Sequence, residues 1–86
     1  MRDKLYAFWK YDTPPYLLGG EVERIDEDGL VTVKGYSSSR FRPVKIVSLE
    51  KGIKLQKELN KAEAKYRRIV KDANDELRSV VRYISE

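Results

Sequence analysis

The spacing of apolar residues changes near Ser48, and this change limits what the chain can fold into. Before Ser48 lie all three prolines, four of the five glycines and seven of the nine aromatic residues. After it come mainly Lys, Glu, Ala, Leu and Arg, which favour helices. The pattern predicts an α+β protein that packs as one compact unit. Residues 1–47 form its strand-rich part and residues 48–86 its helical part.

Five short strands are predicted in the first half, because β-branched and aromatic residues alternate there with turn-forming residues. The predicted strands are 5–11, 17–25, 30–34, 40–42 and 44–47. Val22 and Ile25 stand three positions apart rather than two, which predicts a bulge. The run from Asp26 to Gly29 predicts a tight hairpin loop. Such short strands make a weak flat sheet with two bare edges, so we expect a small closed barrel.

The predicted core is formed by apolar residues of these strands. They are Leu5 or Phe8, Leu18, Val22, Ile25, Val31, Val33, Phe41, Ile46 and Leu49.

Three short patterns in the first half resemble the strand pattern of SH3-like small β-barrels, such as Tudor and KOW domains. They are Phe8-Trp9-x-Tyr11-Asp12, Gly20-x-Val22-x-x-Ile25 and Gly29-x-Val31-x-Val33. The resemblance covers residues 5–47 and implies a five-stranded SH3-like barrel followed by a long C-terminal α-helix. It implies no activity, because one fold hosts many functions. The layout is also similar to small bacteriophage proteins of unknown function.

The second half carries one apolar stripe whose steps of three and four residues indicate a helix. The stripe consists of Leu55, Leu59, Ala62, Tyr66, Ile69, Ala73, Leu77, Val80 or Val81, and Ile84. Ser48 is the expected N-cap, and Gly52 weakens the first turn by about 1 kcal/mol relative to Ala. The helix is therefore expected to begin nearer Ile53. One long helix over 53–85 is favoured, with a break at Asn74-Asp75-Glu76 into two helices as the alternative.

A single helix from Ile53 to Ile84 is about 48 Å long at 1.5 Å per residue. A barrel formed by residues 1–47 is narrower than that. From about Ala62 onward the apolar stripe therefore needs another surface. A second copy of the chain, a folded-back segment and a different protein are the three alternatives.

Composition argues against catalysis. The chain has no histidine and no cysteine, which removes the commonest general bases, nucleophiles and zinc ligands. The run Ser37-Ser38-Ser39 is typical of a turn. A calcium-binding loop that starts at Asp26 needs a Glu where Ser37 stands. We therefore expect a non-enzymatic protein without catalytic residues, metal site or cofactor.

The sequence also favours a soluble, cytoplasmic protein that does not bind membranes. Residues 1–4 do not resemble a signal peptide. No segment approaches the about 20 apolar residues that span a bilayer. The absence of cysteine suits a reducing compartment.

Aromatic residues provide the first candidate binding surface. Alternation places Tyr6 and Phe8 on one face of the first strand and Trp9 and Tyr11 on the other, and we do not expect both sets to be core. The predicted protein-binding site joins rings of the first half to the distal helix stripe. Its residues are Trp9, Tyr11, Tyr16, Tyr36, Ile69, Leu77 and Val81. The competing interpretation is that these rings pack beneath the C-terminal helix.

Basic residues beside rings provide the second candidate surface. A nucleic-acid site predicted here uses Lys34, Tyr36, Arg40, Phe41 and Arg42, because cations track phosphates while rings stack on bases. The competing interpretation is a solvated strand edge whose charges prevent edge pairing. The net charge of +4 is modest for a nucleic-acid-binding protein.

Positive charge is concentrated in the helical half, where residues 47–86 carry 10 basic and 7 acidic side chains. Lys61, Lys65 and Arg68 fall on one helical face, where they are able to bind an acidic partner or nucleic acid. A pairing of Glu58 with Lys61 favours a solvated helix instead.

The sequence thus predicts a binding or adaptor module that acts through protein–protein interaction. Its C-terminal helix is expected to dock a partner or to form a homodimer with a second copy. Nucleic-acid binding by the strand-rich half is the alternative function.

Overall fold

The chain folds as an antiparallel sheet with two helices packed against one of its faces. The computed structural model describes residues 4–13, 15–36, 38–68 and 70–86, and their side chains apart from those of 68–74. The elements are β1 (Leu5–Lys10), β2 (Leu17–Ile25), β3 (Val31–Val33), β4 (Lys45–Ser48), α1 (Leu49–Arg68) and α2 (Val70–Ser85). The strand order is β3-β2-β1-β4, so β1 is hydrogen-bonded along both of its edges.

The turns and the bulge follow the sequence closely. The register of β2 against β3 shifts between Val22 and Arg24, which confirms the predicted bulge. Gly29 adopts a φ of 82°, as the predicted hairpin loop requires. The Asp26 carboxylate accepts hydrogen bonds from the N–H groups of Asp28 at 3.0 Å and Leu30 at 3.1 Å. This loop is therefore held by its own first side chain.

The predicted five-stranded SH3-like barrel is wrong, because the described residues form four strands in one open sheet. Residues 40–42, predicted as a strand, contribute an isolated bridge between Phe41 and Val31. Strand β3 is three residues long, and Gly35 with a φ of 90° turns the chain soon after its end. Pro43 has no N–H to extend a ladder. The α+β class is as predicted.

The predicted single long helix is also wrong, because α1 ends at Arg68 and α2 begins at Val70. The alternative of two helices is confirmed, but the break predicted at residues 74–76 is in the wrong place, since these residues lie inside α2. An ion pair between Lys65 Nζ and Glu76 Oε1 at 3.0 Å joins the two helices, which run antiparallel. Of the three surfaces expected to cover the apolar stripe, the folded-back segment is the one observed.

Helix α1 begins earlier than predicted. The N–H of Lys51 donates to Ser48 Oγ at 3.3 Å, which makes Ser48 the N-cap as expected. Leu49 rather than Ile53 opens the helix. Gly52 is buried against the sheet, where an added Cβ would overlap the side chain of Tyr6. The glycine therefore allows α1 to approach β1 closely.

Two apolar clusters lie on opposite faces of β1. The helix-side core is formed by residues of β1, β2 and both helices: Tyr6, Phe8, Leu17, Leu55, Leu59, Ala62, Leu77 and Ile84. The sheet-side core is formed by Ala7, Trp9, Val31 and Val33, with Leu18, Val22, Phe41 and Ile46 packed around it. Residues of β3 reach those of β1 across the intervening β2, so the sheet is strongly curled.

Strand β1 is consequently buried on both faces from Tyr6 to Trp9. The expectation that its two aromatic faces are not both core is therefore wrong for Trp9. Ile25, predicted as core, is 44% exposed, because it lies beyond the bulge at the end of β2. Within the described residues, neither helix is both long enough and apolar enough to cross a membrane.

Candidate functional site

A groove runs between α1 and α2 on the side of the helix pair that faces away from the sheet. At about 100° of rotation per residue, Lys54 and Lys61 point away from the side on which Gly52 meets Tyr6. The cavity measures about 620 Å³. We call it the helix groove, and its lining residues are Lys54, Leu55, Lys57, Glu58, Lys61, Glu76, Ser79, Val80 and Tyr83.

The floor of the helix groove is apolar. Leu55 is almost fully buried beneath it, and Val80 is partly buried at its side. Tyr83 is 70% exposed, more than Tyr11 or Tyr36, which are the other exposed tyrosines among the described residues. Apolar surface thus remains open to a further element even though α2 covers α1.

One wall of the helix groove is positively charged. Lys54, Lys57 and Lys61 are exposed, and within the described part of the chain none of them forms an ion pair. The predicted pairing of Glu58 with Lys61 is therefore absent. Glu76, on the opposite wall, is neutralised by Lys65 at 3.0 Å. The helix groove therefore combines an apolar floor with three unpaired cations.

Three aromatic rings form a second candidate surface, which we call the aromatic platform: the exposed Tyr36, the partly buried Phe41 and, stacked beneath Phe41, the buried Trp9. The rings of Trp9 and Phe41 stack with centroids 4.2 Å apart and planes 15° apart. Tyr36 meets Phe41 edge-on at 5.9 Å and is 55% exposed. Two backbone hydrogen bonds of 2.8 Å between Phe41 and Val31 hold Phe41 in place. The predicted site residues Tyr36 and Phe41 are therefore brought together.

A shallow cavity of about 480 Å³ adjoins the aromatic platform, lined by Trp9, Lys10, Arg40, Phe41, Arg42, Pro43 and Val44. Two of the predicted phosphate-binding cations are already paired. Lys34 Nζ lies 2.9 Å from Glu21 Oε2, and Arg40 lies 3.1 Å from Asp26 Oδ2. Arg42 is exposed and, within the described residues, has no ion pair.

These ion pairs change the titration of both acids. The hydrogen bond and charge of Lys34 hold the pKa of Glu21 below its ordinary value, against a smaller opposing effect of desolvation. Desolvation raises the pKa of Asp26, but the N–H groups of Leu30 and Asp28 and the Arg40 guanidinium lower it further than that. Both carboxylates are therefore stabilised in the charged form that binds Lys34 and Arg40.

The other two predicted aromatic site residues flank the β1–β2 turn, where the N–H of Tyr11 donates to the carbonyl oxygen of Tyr16 at 3.0 Å. Tyr11 follows β1 and is 50% exposed. Tyr16 sits at the β1–β2 turn with a φ of 67°, an uncommon conformation for an aromatic residue. The guanidinium of Arg78 lies 5.5 Å from the centre of the Tyr16 ring, and Tyr16 packs against the helix-side core. Of the four predicted rings, Tyr16 is thus the one that fits the competing interpretation of cover by the helices.

The predicted stripe residues do not form an open surface. Leu77 is fully buried in the helix-side core, so α1 and the sheet already occupy the face on which it lies. Val81 is partly buried and packs against the same core, and with the predicted site residue Tyr16 it lines a separate shallow cavity of about 340 Å³. Ile69 lies outside the described residues. The helix groove is lined instead by Val80 and Tyr83, one position before Val81 and two positions after it.

The groove residues Lys54 and Tyr83 are absent from the sequence-predicted sites. Spacing was a usable signal for the lysines, because Lys54, Lys57 and Lys61 are three and four residues apart and share one helical face. No comparable signal marks Tyr83, whose exposure depends on how α2 packs on α1.

The described side chains also bear on metal and catalytic chemistry. No three Asp or Glu side chains among them lie close enough to hold a metal ion. The serines predicted as a turn include Ser38 and Ser39, which are exposed, and Ser37, which lies outside the described residues.

No protein-family model, no curated protein and no solved structure was found to match this chain. These comparisons therefore neither support nor oppose the resemblance of residues 5–47 to SH3-like barrels. The function proposed below rests on the residues and their geometry.

Proposed function

We propose that the protein is a non-enzymatic binding module that docks a helical segment of a partner protein in the helix groove. The observation that carries this proposal is the exposed Tyr83 ring above the apolar floor formed by Leu55 and Val80. Grooves between two helices commonly take a third helix that inserts its apolar face. The lack of cysteine supports a reducing compartment such as the cytoplasm for this module.

The lining of the helix groove follows α1 for about two turns, from Lys54 to Lys61. Lys54 and Lys61 lie seven residues apart, or about 10.5 Å at 1.5 Å per residue. That distance equals the spacing of anchors i, i+4 and i+7 on an amphipathic helix. A partner helix that lies along the groove therefore inserts three apolar side chains over its length.

A second copy of the chain fits the helix groove less well. In a two-fold dimer the same patch meets itself, so two sets of the unpaired lysines 54, 57 and 61 would enter one interface. Each copy also carries a net charge of +4, which adds to the repulsion. We therefore favour a heterologous partner over self-association.

The test is an amide NMR titration with an amphipathic helical peptide that carries leucine anchors at i, i+4 and i+7 and glutamine elsewhere on its flanks. The expected shifts lie in residues 54–61 and 76–83, and Tyr83→Asp weakens the binding. Tyr36→Asp is the matched control, because Tyr36 is a similarly exposed tyrosine on the aromatic platform. Shifts confined to other surfaces, or equal loss in both variants, contradict the proposal. Concentration-dependent shifts without peptide favour the homodimer instead.

Nucleic-acid binding by the aromatic platform is the second candidate function. The exposed Tyr36, the partly buried Phe41 that its ring meets edge-on and the unpaired Arg42 support it, with the buried Trp9 stacked beneath Phe41. Fluorescence anisotropy with labelled single-stranded DNA, duplex DNA and RNA at two salt concentrations tests it, with Trp9 fluorescence as a second signal. Micromolar binding that weakens with salt and is reduced in Arg42→Gln supports this function. Absence of binding at low salt eliminates it.

A further inference from the structure

The charge on the lysine-bearing wall of the helix groove indicates what kind of helix binds there. Lys54, Lys57 and Lys61 line the same side of the cavity. All three are exposed, and none has a carboxylate partner within the described residues. Other cations of the described residues, Arg42 among them, also lack an ion pair, but Lys54, Lys57 and Lys61 line one side of the same groove. The lysine wall is thus a group of charges that this chain leaves unneutralised.

We infer that the occupant of the helix groove is an acidic amphipathic helix of another protein. Its apolar face lies on Leu55, Val80 and Tyr83, and its Asp or Glu side chains reach the three lysines. This inference rests on the proposed function and adds the chemistry of the partner to it.

The spacing of the lysines matches such a partner. Lys54, Lys57 and Lys61 follow one another by three and four residues, so they stay on one side of α1 over two turns. Carboxylates spaced by three or four residues on the partner helix stay in line with them for the same reason. The long lysine stems also cover apolar surface while their ammonium groups remain in water. They therefore extend the floor of the groove and supply charge at its rim.

The opposite wall of the helix groove does not cancel this preference. Glu76 is bound by Lys65, and Ser79 is uncharged. Glu58 is the remaining acid in the lining and lies on α1 among the three lysines, so the wall formed by α1 keeps an excess of positive charge. Complementary charge at the rim of an interface mainly selects the partner and speeds association. An acidic helix is thus preferred over a neutral or basic helix that has the same apolar face.

The test uses three synthetic helical peptides with one apolar stripe and different flanks, carrying Glu, Gln or Lys at the same positions. Calorimetric titration at low and high salt measures their affinities for the folded full chain. The Glu peptide is expected to bind about tenfold more tightly than the Gln peptide at low salt, which is about 1.4 kcal/mol. The Lys peptide is expected to bind most weakly, and high salt should reduce the differences.

Matched variants assign the preference to the groove. The triple variant Lys54→Gln, Lys57→Gln, Lys61→Gln is expected to bind the Glu and Gln peptides equally. The control triple variant Lys4→Gln, Lys10→Gln, Arg24→Gln removes the same charge from exposed residues outside the groove. It is expected to keep the preference. Circular dichroism of each variant verifies that it is folded.

The outcomes separate this inference from the proposed function. Equal binding of the Glu and Gln peptides, or loss of the preference in the control triple variant alone, overturns the acidic partner but leaves the groove as a helix site. Absence of binding by all three peptides overturns the proposed function itself. Tightest binding by the Lys peptide would mean that the partner helix is basic, and it would overturn the inference.

Discussion

Strand β1 is buried on both faces, but different elements cover the two faces. On one face Tyr6 and Phe8 are covered by α1 and α2, which come from the far half of the sequence. On the other face Ala7 and Trp9 are covered by the curl of the sheet itself, through β3 and Phe41. In this protein the two helices leave the helix groove on their outer side, whereas the curled sheet leaves the aromatic platform at its edge. The two candidate binding surfaces follow from this difference.

The largest expected effect tests whether both faces of β1 are true cores. Phe8→Ala and Trp9→Ala remove large buried rings from the helix-side core and the sheet-side core, respectively. Each is expected to lower the free energy of unfolding by about 3–5 kcal/mol, measured by urea denaturation. Tyr11→Ala, on an exposed ring of the same segment, is the control and is expected to change it by less than about 0.5 kcal/mol. A small effect of Trp9→Ala would mean that the sheet-side cluster is a surface site and not a core.

The sequence predicted local structure better than it predicted which elements cover the two faces of β1. The bulge after Val22, the loop that ends at Gly29 and the cap at Ser48 depend on the dihedral angles and hydrogen bonds of a few adjacent residues. Such features are therefore predictable from the few residues that form them. The curl of the sheet depends instead on contacts between β3, β1 and Phe41, which are distant in sequence. A burial argument that allowed one covered face per strand therefore placed Trp9 on the surface.

The break between the helices had no comparable local signal. The apolar stripe continues in steps of three and four residues on both sides of residue 69, and neither Gly nor Pro stands there. Periodicity therefore describes one long helix and two antiparallel helices equally well. What distinguishes them is the apolar surface that α2 covers when Leu77 and Ile84 join the helix-side core. The requirement for a covering surface was readable from the length of the stripe, but the choice of cover was not.

The next largest effect tests whether α2 belongs to the cover of β1. Leu77→Ala removes a fully buried side chain of α2 and is expected to cost about 2–5 kcal/mol of unfolding free energy. Tyr83→Ala, on the same helix but 70% exposed, is expected to cost less than about 0.5 kcal/mol. Thermal denaturation followed by circular dichroism compares the two. Equal and small losses would mean that α2 leaves the sheet and docks elsewhere, which would remove the helix groove as well.

A smaller effect tests how closely the helices lie on the sheet. Gly52→Ala improves intrinsic helix propensity by about 1 kcal/mol, but its methyl group overlaps Tyr6. Overpacking of this kind costs about 1–3 kcal/mol, so we expect net destabilisation in urea denaturation. Gly20→Ala is the comparison on the sheet side, where the added Cβ meets Val33 Cβ at a less severe 3.2 Å. It is expected to destabilise less, and net stabilisation by Gly52→Ala would contradict the close approach of α1 to β1.

The smallest effect concerns the ion pair between Arg40 and Asp26. It ties the segment next to Phe41 to the loop between β2 and β3. The pKa of Asp26 in the folded protein lies below its ordinary value of 3.8, so the unfolded chain takes up the proton first as the pH falls. The resulting stability is present above pH 3.8 and is lost as the pH drops through the lower folded-state value. The thermal midpoint of the wild-type protein is therefore expected to fall more between neutral pH and pH below 3.8 than that of Asp26→Asn. Arg40→Gln should show an intermediate fall, because Arg40 supplies one of the interactions that lower this pKa. Identical pH dependence in all three proteins would mean that the Arg40–Asp26 contact does not help to close the sheet over Trp9.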